Sequence, residues 1–385
     1  MRRYEETHPW ITFRVVLDNA GHKLWVLLGK AAATCECILG TPLLPPVRDK
    51  LLLVYLAKGV NATTAIEGNT LTEEEVLRQI QGELTLPPSK EYLGKEIDNV
   101  LKAYNQIGDG VFKGQSAELC VEELKRYNAM ILDGLPLPEE VIPGEIRTHD
   151  VRVGGYPGAP WEDCPYLLDR LCQFINREIS LLQEDPRVIG VLKAIIAHLY
   201  MAWIHPFGDG NGRTARLLEF KILLEAGIPA TAAHLLSNHY NQTRTRYYLE
   251  LERSHRSGGD VSAFIEYALQ GFVDQLAEQM GEIKRQQMSV HFINFVHKMF
   301  GDDQPTDIRK RHLVLDLAQK DQPVPMKEMR HVSPRIAESY ASKTDRTVKR
   351  DVEELIEYKL IRREKAGYTA NFSLIESFLP RSARG

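Results

Sequence analysis

The residue types best suited to chemistry lie together in residues 205–216, which read HPFGDGNGRTAR. The imidazole of His205 can take a proton from a hydroxyl group near neutral pH. Four residues later, the carboxylate of Asp209 offers the hard oxygen that Mg²⁺ prefers beside phosphate groups. The guanidinium groups of Arg213 and Arg216 have the planar shape that binds phosphate oxygens in pairs. The segment therefore predicts a polyphosphate site with a proton acceptor next to it.

Two helices are expected to position this segment. Residues 188–204 carry apolar side chains at the spacing of a helix with a buried face. Pro206 disfavours helical backbone at His205, so the first helix should end there. Residues 213–226 show a second helical pattern that ends at Gly227. The glycines between the two helices would then lie at a helix N-terminus, where free amides and the positive end of the helix dipole favour an anion.

Each residue type alone has a simpler structural explanation. A histidine after a buried helix is usually a satisfied polar residue, an Asp-Gly pair is usually a turn, and paired arginines often form a solvated face. Their joint occurrence at fixed offsets within twelve residues favours the chemical interpretation. The segment is not a P-loop, because it lacks G-x-x-x-x-G-K-[ST] and the candidate base precedes the glycines.

The segment resembles the H-P-F-x-[DE]-G-N-[GK]-R-x-x-R core of the Fic (filamentation induced by cyclic AMP) family, and every specified position is met. The resemblance implies a Fic-type helical core that transfers AMP from Mg·ATP to a Ser, Thr or Tyr hydroxyl of a target protein, with pyrophosphate leaving. It implies that His205 is the base and that Asp209 is the Mg²⁺ ligand. The ATP-binding residues that it implies are Gly208, Gly210, Asn211, Gly212, Arg213, Arg216 and Tyr248.

Within that set, the resemblance places Asn211 and the neighbouring glycine amides at the α-phosphate, and the two arginines at the β- and γ-phosphates. Some family members transfer other phosphate-containing groups. Gly212 and the two intact arginines favour ATP in the AMP-donating orientation.

A second segment, residues 63–69 (TTAIEGN), resembles the family's inhibitory [ST]-x-x-x-E-[GN] motif. The resemblance implies an inhibitory helix at about 61–69 whose Glu67 pairs with Arg216. A carboxylate there would occupy the cation that the γ-phosphate needs. In some members the same glutamate orients a water that removes AMP. Without the core motif, this segment would indicate only a capped helix start with a Gly-Asn end.

Residues 143–165 are rich in glycine and proline around a β-favouring Val-Arg-Val at 151–153. They predict an exposed hairpin or loop. The resemblance implies a flap that covers the active site and pairs with an extended target segment; an ordinary surface connection is the alternative.

The tyrosine pair Tyr247 and Tyr248 resembles part of the family helix that lines the adenine site. Tyr248, and with it Tyr247, would contact the base, although tyrosines at helical spacing are more often core residues. His255 stands where several members carry asparagine, which leaves purine recognition open.

The C-terminal region is basic within a chain whose net charge is −4. Residues 306–385 hold 17 Lys and Arg against 12 Asp and Glu, so the positive excess is local. Helical patterns at 307–319, 326–330 and 344–355, followed by a hairpin at 360–369 that turns at Ala366-Gly367, resemble a winged helix-turn-helix. The residues expected to face DNA are Arg346, Thr347, Lys349 and Arg350 on the third helix, with Arg363 and Lys365 on the wing.

Acidic residues on the same third helix favour instead a protein-docking or dimerisation module. Two classes of function are therefore open: an autoinhibited protein adenylyltransferase, or a DNA-binding regulator whose core senses a nucleotide. The domains are predicted as an N-terminal helical region at 1–110, a catalytic core at 111–299, a linker at 300–305 and a winged helix at 306–380.

The composition, 43% apolar and 26% charged, is that of a globular chain, and the pattern predicts a mainly α fold with strands only in flap and wing. Charges or prolines interrupt the longest apolar stretches and the N-terminus has no apolar signal region, so we expect a cytoplasmic protein without a membrane span. The five cysteines form no C-x-x-C pair, which favours reduced thiols. A homodimer is expected from base rates alone.

Overall fold

The structure is a computed structural model that describes residues 2–15, 20–115, 118–153, 155–179, 185–301 and 304–375. Three predicted features lie outside the described residues: Gly154 of the flap, residues 302 and 303 of the linker, and residues 376–380 at the end of the winged helix.

The chain forms two compact units, residues 1–280 and 281–385. The prediction of a mainly α protein is confirmed, because the described strands form two separate two-stranded hairpins.

The first unit is helical, with one short hairpin. Its helices, in chain order, are α1 (Arg3–Thr7), α2 (His22–Leu39), α3 (Pro45–Ile66), α4 (Glu73–Ile80), α5 (Glu91–Phe112), α6 (Val121–Leu132), α7 (Cys164–Gln173), α8 (Pro186–Ile204), α9 (Asn211–Glu225), α10 (Leu235–Gln242) and α11 (Arg244–Arg256). The hairpin pairs β1 (Arg152–Val153) with β2 (Tyr156–Pro157). A single π-helical turn, Phe174–Glu178, continues α7. A further helix, α12 (Ser262–Met299), begins in this unit.

Helices α8 and α9 form the centre of the first unit. By length and composition alone, α8 could cross a membrane. However, 78% of its apolar stretch is buried inside the protein, as in the core helix of a globular domain. The two helices approach closely at Gly190, where a Cβ would lie 2.0 Å from the Cβ of Ala226. A larger residue at Gly190 would therefore push α9 away.

The starts and ends predicted for several helices of the first unit are confirmed. Helix α8 ends before His205 and α9 is followed by Gly227, which has a φ of +77°. Thr72 is the N-cap of α4 and forms the expected capping box with Glu75. The inhibitory helix predicted at about 61–69 is the end of the 22-residue helix α3, which stops at Ile66, so residues 67–69 follow the helix. The threonines of its last turn are buried against the protein, so packing supports helical backbone there.

The second unit has its own apolar core, to which the C-terminal part of α12 contributes Phe292 and Val296. Its elements are α13 (Pro305–Leu317), α14 (Pro334–Tyr340), α15 (Asp345–Glu357), β3 (Ile361–Glu364) and β4 (Gly367–Ala370). The division at residue 280 therefore precedes the predicted linker, because the second half of α12 packs into this core.

Two details of the second unit differ from the sequence prediction. The segment Met326–His331 is a 3₁₀ helix, and the helix between α13 and α15 is α14, whose seven residues are too few for a periodic signal. The hairpin turns at residues 365–366, because Glu364 already pairs with Gly367. Gly367 allows the main chain at Val324 to approach and pair with Tyr368, since a Cβ would lie 2.4 Å from the Val324 oxygen.

Candidate active site

His205 lies at the C-terminal end of α8 in left-handed backbone conformation, with φ +51° and ψ +57°. Its main-chain oxygen accepts a hydrogen bond from Arg147 Nε at 2.8 Å. Burial, followed by the positive charge of Arg147, lowers the pKa of the imidazole to about 4. A hydrogen bond with the main chain of Ala202 and the negative charges of Glu67 and Asp209 oppose this shift with smaller effects. The imidazole is therefore neutral at pH 7 and can accept a proton.

The glycine-rich turn leads directly into the first turn of α9. Gly210 caps the helix with a φ of +74°, and the Thr214 amide and hydroxyl both bond to its carbonyl at 2.9 Å. The side chain of Asn211 binds the main chain of Phe207 twice, accepting from its amide at 2.9 Å and donating to its carbonyl at 2.8 Å. The side chain of Asn211 therefore closes the turn, and its place at the α-phosphate stays a prediction.

Asn128, on α6, also holds this turn, although no pattern in the sequence predicts it. The side chain is fully buried, donates to the main-chain oxygen of Asp209 at 2.9 Å and accepts from the amide of Gly144 at 3.0 Å. It therefore joins the glycine-rich turn to the segment that leads into the hairpin. One asparagine on a helix that is otherwise amphipathic gives no distinguishing signal in a sequence.

Arg213 and Asp209 lie together beside the turn. Arg213 is 5% exposed, and its two terminal nitrogens bind Asp209 Oδ1, at 3.3 Å, and Glu96 of α5. Burial raises the pKa of Glu96 despite the opposing charge of Arg213. Glu96 in turn accepts from Asn69 Nδ2 at 2.8 Å, which links Arg213 to the turn that follows α3.

The carboxylate of Asp209 is the candidate metal ligand at this site, and its side chain is 45% exposed. In the described part of the chain, no group of three or more His, Cys, Asp or Glu side chains could hold a metal ion. A single half-exposed carboxylate fits Mg²⁺ bound to a nucleotide. Such an ion takes one or two carboxylates and completes its shell with phosphate oxygens and water.

Arg216 is buried against the end of α3, where it meets Glu67. Its Nε donates to Thr63 Oγ1 at 2.7 Å, and one terminal nitrogen donates to Thr63 O at 3.0 Å and to Glu67 Oε1 at 2.5 Å. Burial alone would raise the pKa of the Glu67 carboxyl, but the charge and hydrogen bond of Arg216, together with the charges of Arg213 and His205, lower it. The pairing of Glu67 with Arg216 that the family resemblance implied is therefore present.

Gly212 lies directly against this pair. A Cβ at Gly212 would be 2.3 Å from Glu67 Oε1 and 3.1 Å from a terminal nitrogen of Arg216. Only glycine therefore leaves room for the carboxylate beside the first turn of α9.

The two tyrosines on α11 have different surroundings. Tyr247 is 3% exposed, stacks on Tyr240 with ring centroids 4.8 Å apart, and its hydroxyl is 2.9 Å from His198 Nε2. It is a core residue, which corrects the expectation that it contacts a base. Tyr248 is 41% exposed, with the guanidinium of Arg244 6.0 Å from its ring centroid, so it is the tyrosine of the pair that a ligand could reach.

The hairpin predicted within residues 143–165 is confirmed, and its role as a flap over the active site stays a prediction. The hydroxyl of Tyr156, on β2, donates to Trp203 O at 2.9 Å, and the imidazole of His8 lies with Nε2 2.9 Å from Pro157 O. His255, which was considered for base recognition, packs its ring 4.9 Å from that of Tyr156 and 5.3 Å from that of Trp10. Its ring therefore contacts the flap and the N-terminal segment.

Comparison with known proteins agrees with this geometry. Residues 118–223 match the Fic/DOC family. The chain is 27% identical over 225 residues to protein adenylyltransferase fic-1 of Caenorhabditis briggsae, covering 58% of this chain and 41% of that protein. It is 29% identical over 207 residues to protein adenylyltransferase Fic of Nematostella vectensis, covering 53% and 44%. The chain thus spans less than half the length of these curated relatives.

Solved structures show the same fold. A Fic family protein from Desulfovibrio desulfuricans G20 superimposes with a TM-score of 0.53 at 19% identity, covering 89% of this chain and 95% of that one. Fic-1 from Caenorhabditis elegans (residues 134–508) superimposes with a TM-score of 0.54 at 25% identity, covering 67% and 72%. The match to the family model identifies residues 118–223 as a Fic domain, and the solved structures show that the chain shares the fold of Fic proteins.

Proposed function

We propose that this chain is a protein adenylyltransferase that transfers AMP from ATP to a hydroxyl side chain of a target protein. The observation that carries the proposal is the convergence of a neutral imidazole, a half-exposed carboxylate and two buried arginines on one glycine-rich helix N-terminus. Relatives that share the Fic domain bear the name protein adenylyltransferase, which supports the same reaction here.

In the proposed reaction, His205 takes the proton of the target hydroxyl as its oxygen attacks the α-phosphorus of ATP. The bond from that phosphorus to the bridging oxygen breaks, and pyrophosphate leaves with the electron pair. Arg213 and Arg216 hold the β- and γ-phosphates and stabilise the charge of the leaving group. Mg²⁺, held by Asp209 and phosphate oxygens, would neutralise phosphate charge when bound. The amides of the glycine-rich turn bind the α-phosphate.

We propose further that Glu67 inhibits this reaction. Its carboxylate binds the terminal nitrogen of Arg216 that a γ-phosphate would need, so ATP and Glu67 compete for one cation. A signal that moves the end of α3 would release Arg216 and permit transfer. The same carboxylate can orient a water toward an AMP ester, so removal of AMP from a modified target is the second activity to assay.

The test is mass spectrometry of the Glu67→Gly chain after incubation with Mg·ATP, both alone and with a cell lysate. We expect a mass gain of AMP on the chain itself or on a target. His205→Ala in the same background should abolish that gain while ATP still binds. A mass gain of phosphate, or no gain in any sample, would contradict the proposed reaction.

A second candidate function is DNA binding by the second unit, favoured by its arrangement of elements and its charge. An isolated bridge joins Val324, before α14, to Tyr368 of β4, and the succession of α13, this bridge, α14, α15 and the hairpin is the order of elements in a winged helix. On α15, Arg346, Lys349 and Arg350 are exposed. The wing strand β3 exposes Arg363, and the turn after it exposes Lys365.

An electrophoretic mobility shift with duplex DNA tests this candidate. If these cations bind phosphates, the logarithm of the affinity should fall linearly with the logarithm of salt concentration. Replacing Arg346 and Lys349 by alanine should reduce that slope by roughly one for each phosphate that the protein no longer neutralises. Absence of a shifted band at low salt would favour a docking role for this unit.

A further inference from the structure

Arg147 is a buried arginine whose side chain donates to three main-chain oxygens. Its Nε donates to His205 O at 2.8 Å, one terminal nitrogen donates to His149 O at 2.7 Å, and the other donates to Ala159 O. Its amide also donates to Pro206 O at 3.0 Å. Among the residues that the structure describes, no carboxylate forms an ion pair with this side chain, which is 4% exposed. Burying an unpaired guanidinium is costly, so the bonds that it makes must matter to the fold or the site.

These bonds connect His205 to both ends of the flap. Residues 147 and 149 lie before β1, and residue 159 lies after β2. The connection is reinforced by an antiparallel bridge between Ile146 and Phe207. One side chain therefore binds the segment entering the flap, the segment leaving it and the residue that ends α8.

His205 needs such support because its backbone is in the left-handed region, which residues other than glycine rarely adopt. Gly158 packs closely beside both residues, since a Cβ there would lie 3.0 Å from Arg147 Nη2 and 3.2 Å from His205 Cβ. The carbonyl of His205 is held by Arg147, and its Cβ lies close against Gly158. The direction in which the imidazole leaves the main chain is therefore fixed.

We propose that Arg147 is a positioning residue for AMP transfer, which it serves by fixing the backbone of His205 and closing the base of the flap over it. This inference rests on the proposed function, in which His205 is the base. The charge of Arg147 supports it. The charges with the largest effects on the pKa of the imidazole are those of Arg147, of Glu67 just after α3, and of Asp209 in the turn. Of these, Arg147 alone favours the neutral form that can accept a proton.

Two substitutions separate the geometry from the charge, both in the Glu67→Gly background. Arg147→Lys keeps the charge but cannot donate to three carbonyls in the geometry of a guanidinium. Arg147→Met removes both the charge and the bonds. Tyr156→Phe is the matched control, because it removes a different hydrogen bond between the flap and the end of α8.

We expect kcat for AMP transfer to fall about 10- to 100-fold in both Arg147 variants, as displacement of a reacting group by an ångström can cost that much. The dissociation constant of ATP should not change, and Tyr156→Phe should retain the parent kcat. Parental kcat in Arg147→Lys would overturn the proposal even if Arg147→Met fails to fold. An equal loss of kcat in the control would also overturn it, because flap packing in general would then be the cause.

A second measurement does not depend on AMP transfer. The ¹³Cε1 signal of His205, assigned with His205→Ala, reports the pKa of the imidazole directly. Removing the nearby cation should raise that pKa in Arg147→Met above its value in the parent and in Arg147→Lys. If no variant transfers AMP, the proposed function fails. The titration still tests whether Arg147 acts on His205, because it does not require AMP transfer. Identical titrations in all three chains would overturn the inference.

Discussion

The contact between Glu67 and Arg216 places opposite charges where water screens them poorly. The guanidinium side chain is 1% exposed and the carboxylate side chain is 30% exposed. Because the pKa of Glu67 is lowered in the folded chain, the pair is complete above the ordinary pKa of 4.5 and is lost as the pH falls through the lowered value. We therefore expect inhibition to persist from roughly pH 5 to pH 8, as measured by ATP binding to the wild-type chain.

Removing the carboxylate should activate the chain. In Glu67→Gly we expect tighter productive ATP binding and faster AMP transfer, because loss of one partner from a buried ion pair is worth about 2 to 5 kcal/mol. Radiolabelled AMP transfer, including self-modification, measures the effect. Glu74→Gly, at an exposed position on α4, is the control and should leave transfer unchanged. Equal transfer by wild type and Glu67→Gly would refute the inhibitory role.

At the scale of elements, the turn that carries Glu67 is fastened to α5. The side chain of Asn69 donates to Glu96 Oε2 at 2.8 Å and to Leu93 O at 3.1 Å, and it accepts from the amide of Leu71 at 3.0 Å. Asn69 is 7% exposed, so these bonds are shielded from water. The position of Glu67 thus depends on a residue that contacts neither Arg216 nor the glycine-rich turn.

Asn69→Ala should therefore weaken inhibition while the direct partners of Arg213, the carboxylates of Glu96 and Asp209, stay present. We expect faster AMP transfer than in wild type, and no further gain when the substitution is added to Glu67→Gly, because the two changes release the same contact. Asn99→Ala is the matched control: Asn99 is also a buried asparagine, on α5, but it binds the main chain at residues 131 and 133. Activation by both asparagine variants alike would indicate general loosening instead.

The flap is also an element whose place depends on side chains distant in sequence. Tyr156 of β2 donates to the main chain of Trp203 on α8, His8 contacts Pro157 from the N-terminal segment, and Asn128 holds the chain that leads into the hairpin. Its two strands have only two residues each, and a hairpin this short is not stable by itself in water. The surrounding contacts, rather than strand pairing, therefore keep it ordered.

At the scale of the whole molecule, each unit has its own apolar core, so unfolding need not be a single transition. In the second unit, the fully buried carboxylate of Asp351 binds Arg309 at 2.8 Å and accepts from the Tyr340 hydroxyl at 3.0 Å. Removing one partner would leave the other charge buried without compensation.

Asp351→Ala should destabilise the second unit by about 3 to 5 kcal/mol. In differential scanning calorimetry we expect the transition of that unit to shift to lower temperature while the transition of the first unit stays in place. Glu353→Ala, at an exposed position on the same helix, should leave both transitions unchanged. A parallel shift of both transitions in Asp351→Ala would show that the units unfold as one.

Features that depend on local backbone rules could be predicted from the sequence. Proline after His205 ends α8, glycines open the turn, and the apolar period defines α8 and α9 because each effect acts within a few residues. The pairing of Glu67 with Arg216, 149 residues apart in the chain, was expected only from the family resemblance.

Tertiary structure alone decided which isolated polar residues support the site. Arg147, Asn128 and Glu96 come from separate elements, and each is a single polar residue whose sequence context gives no period or motif. Packing also decided that Tyr247 is core and Tyr248 exposed, although they are adjacent on one helix. The sequence by itself determined the chemical groups and the local turn that presents them. Their partners were decided by folding, because burial and hydrogen bonding between distant segments exist only once the helices have packed.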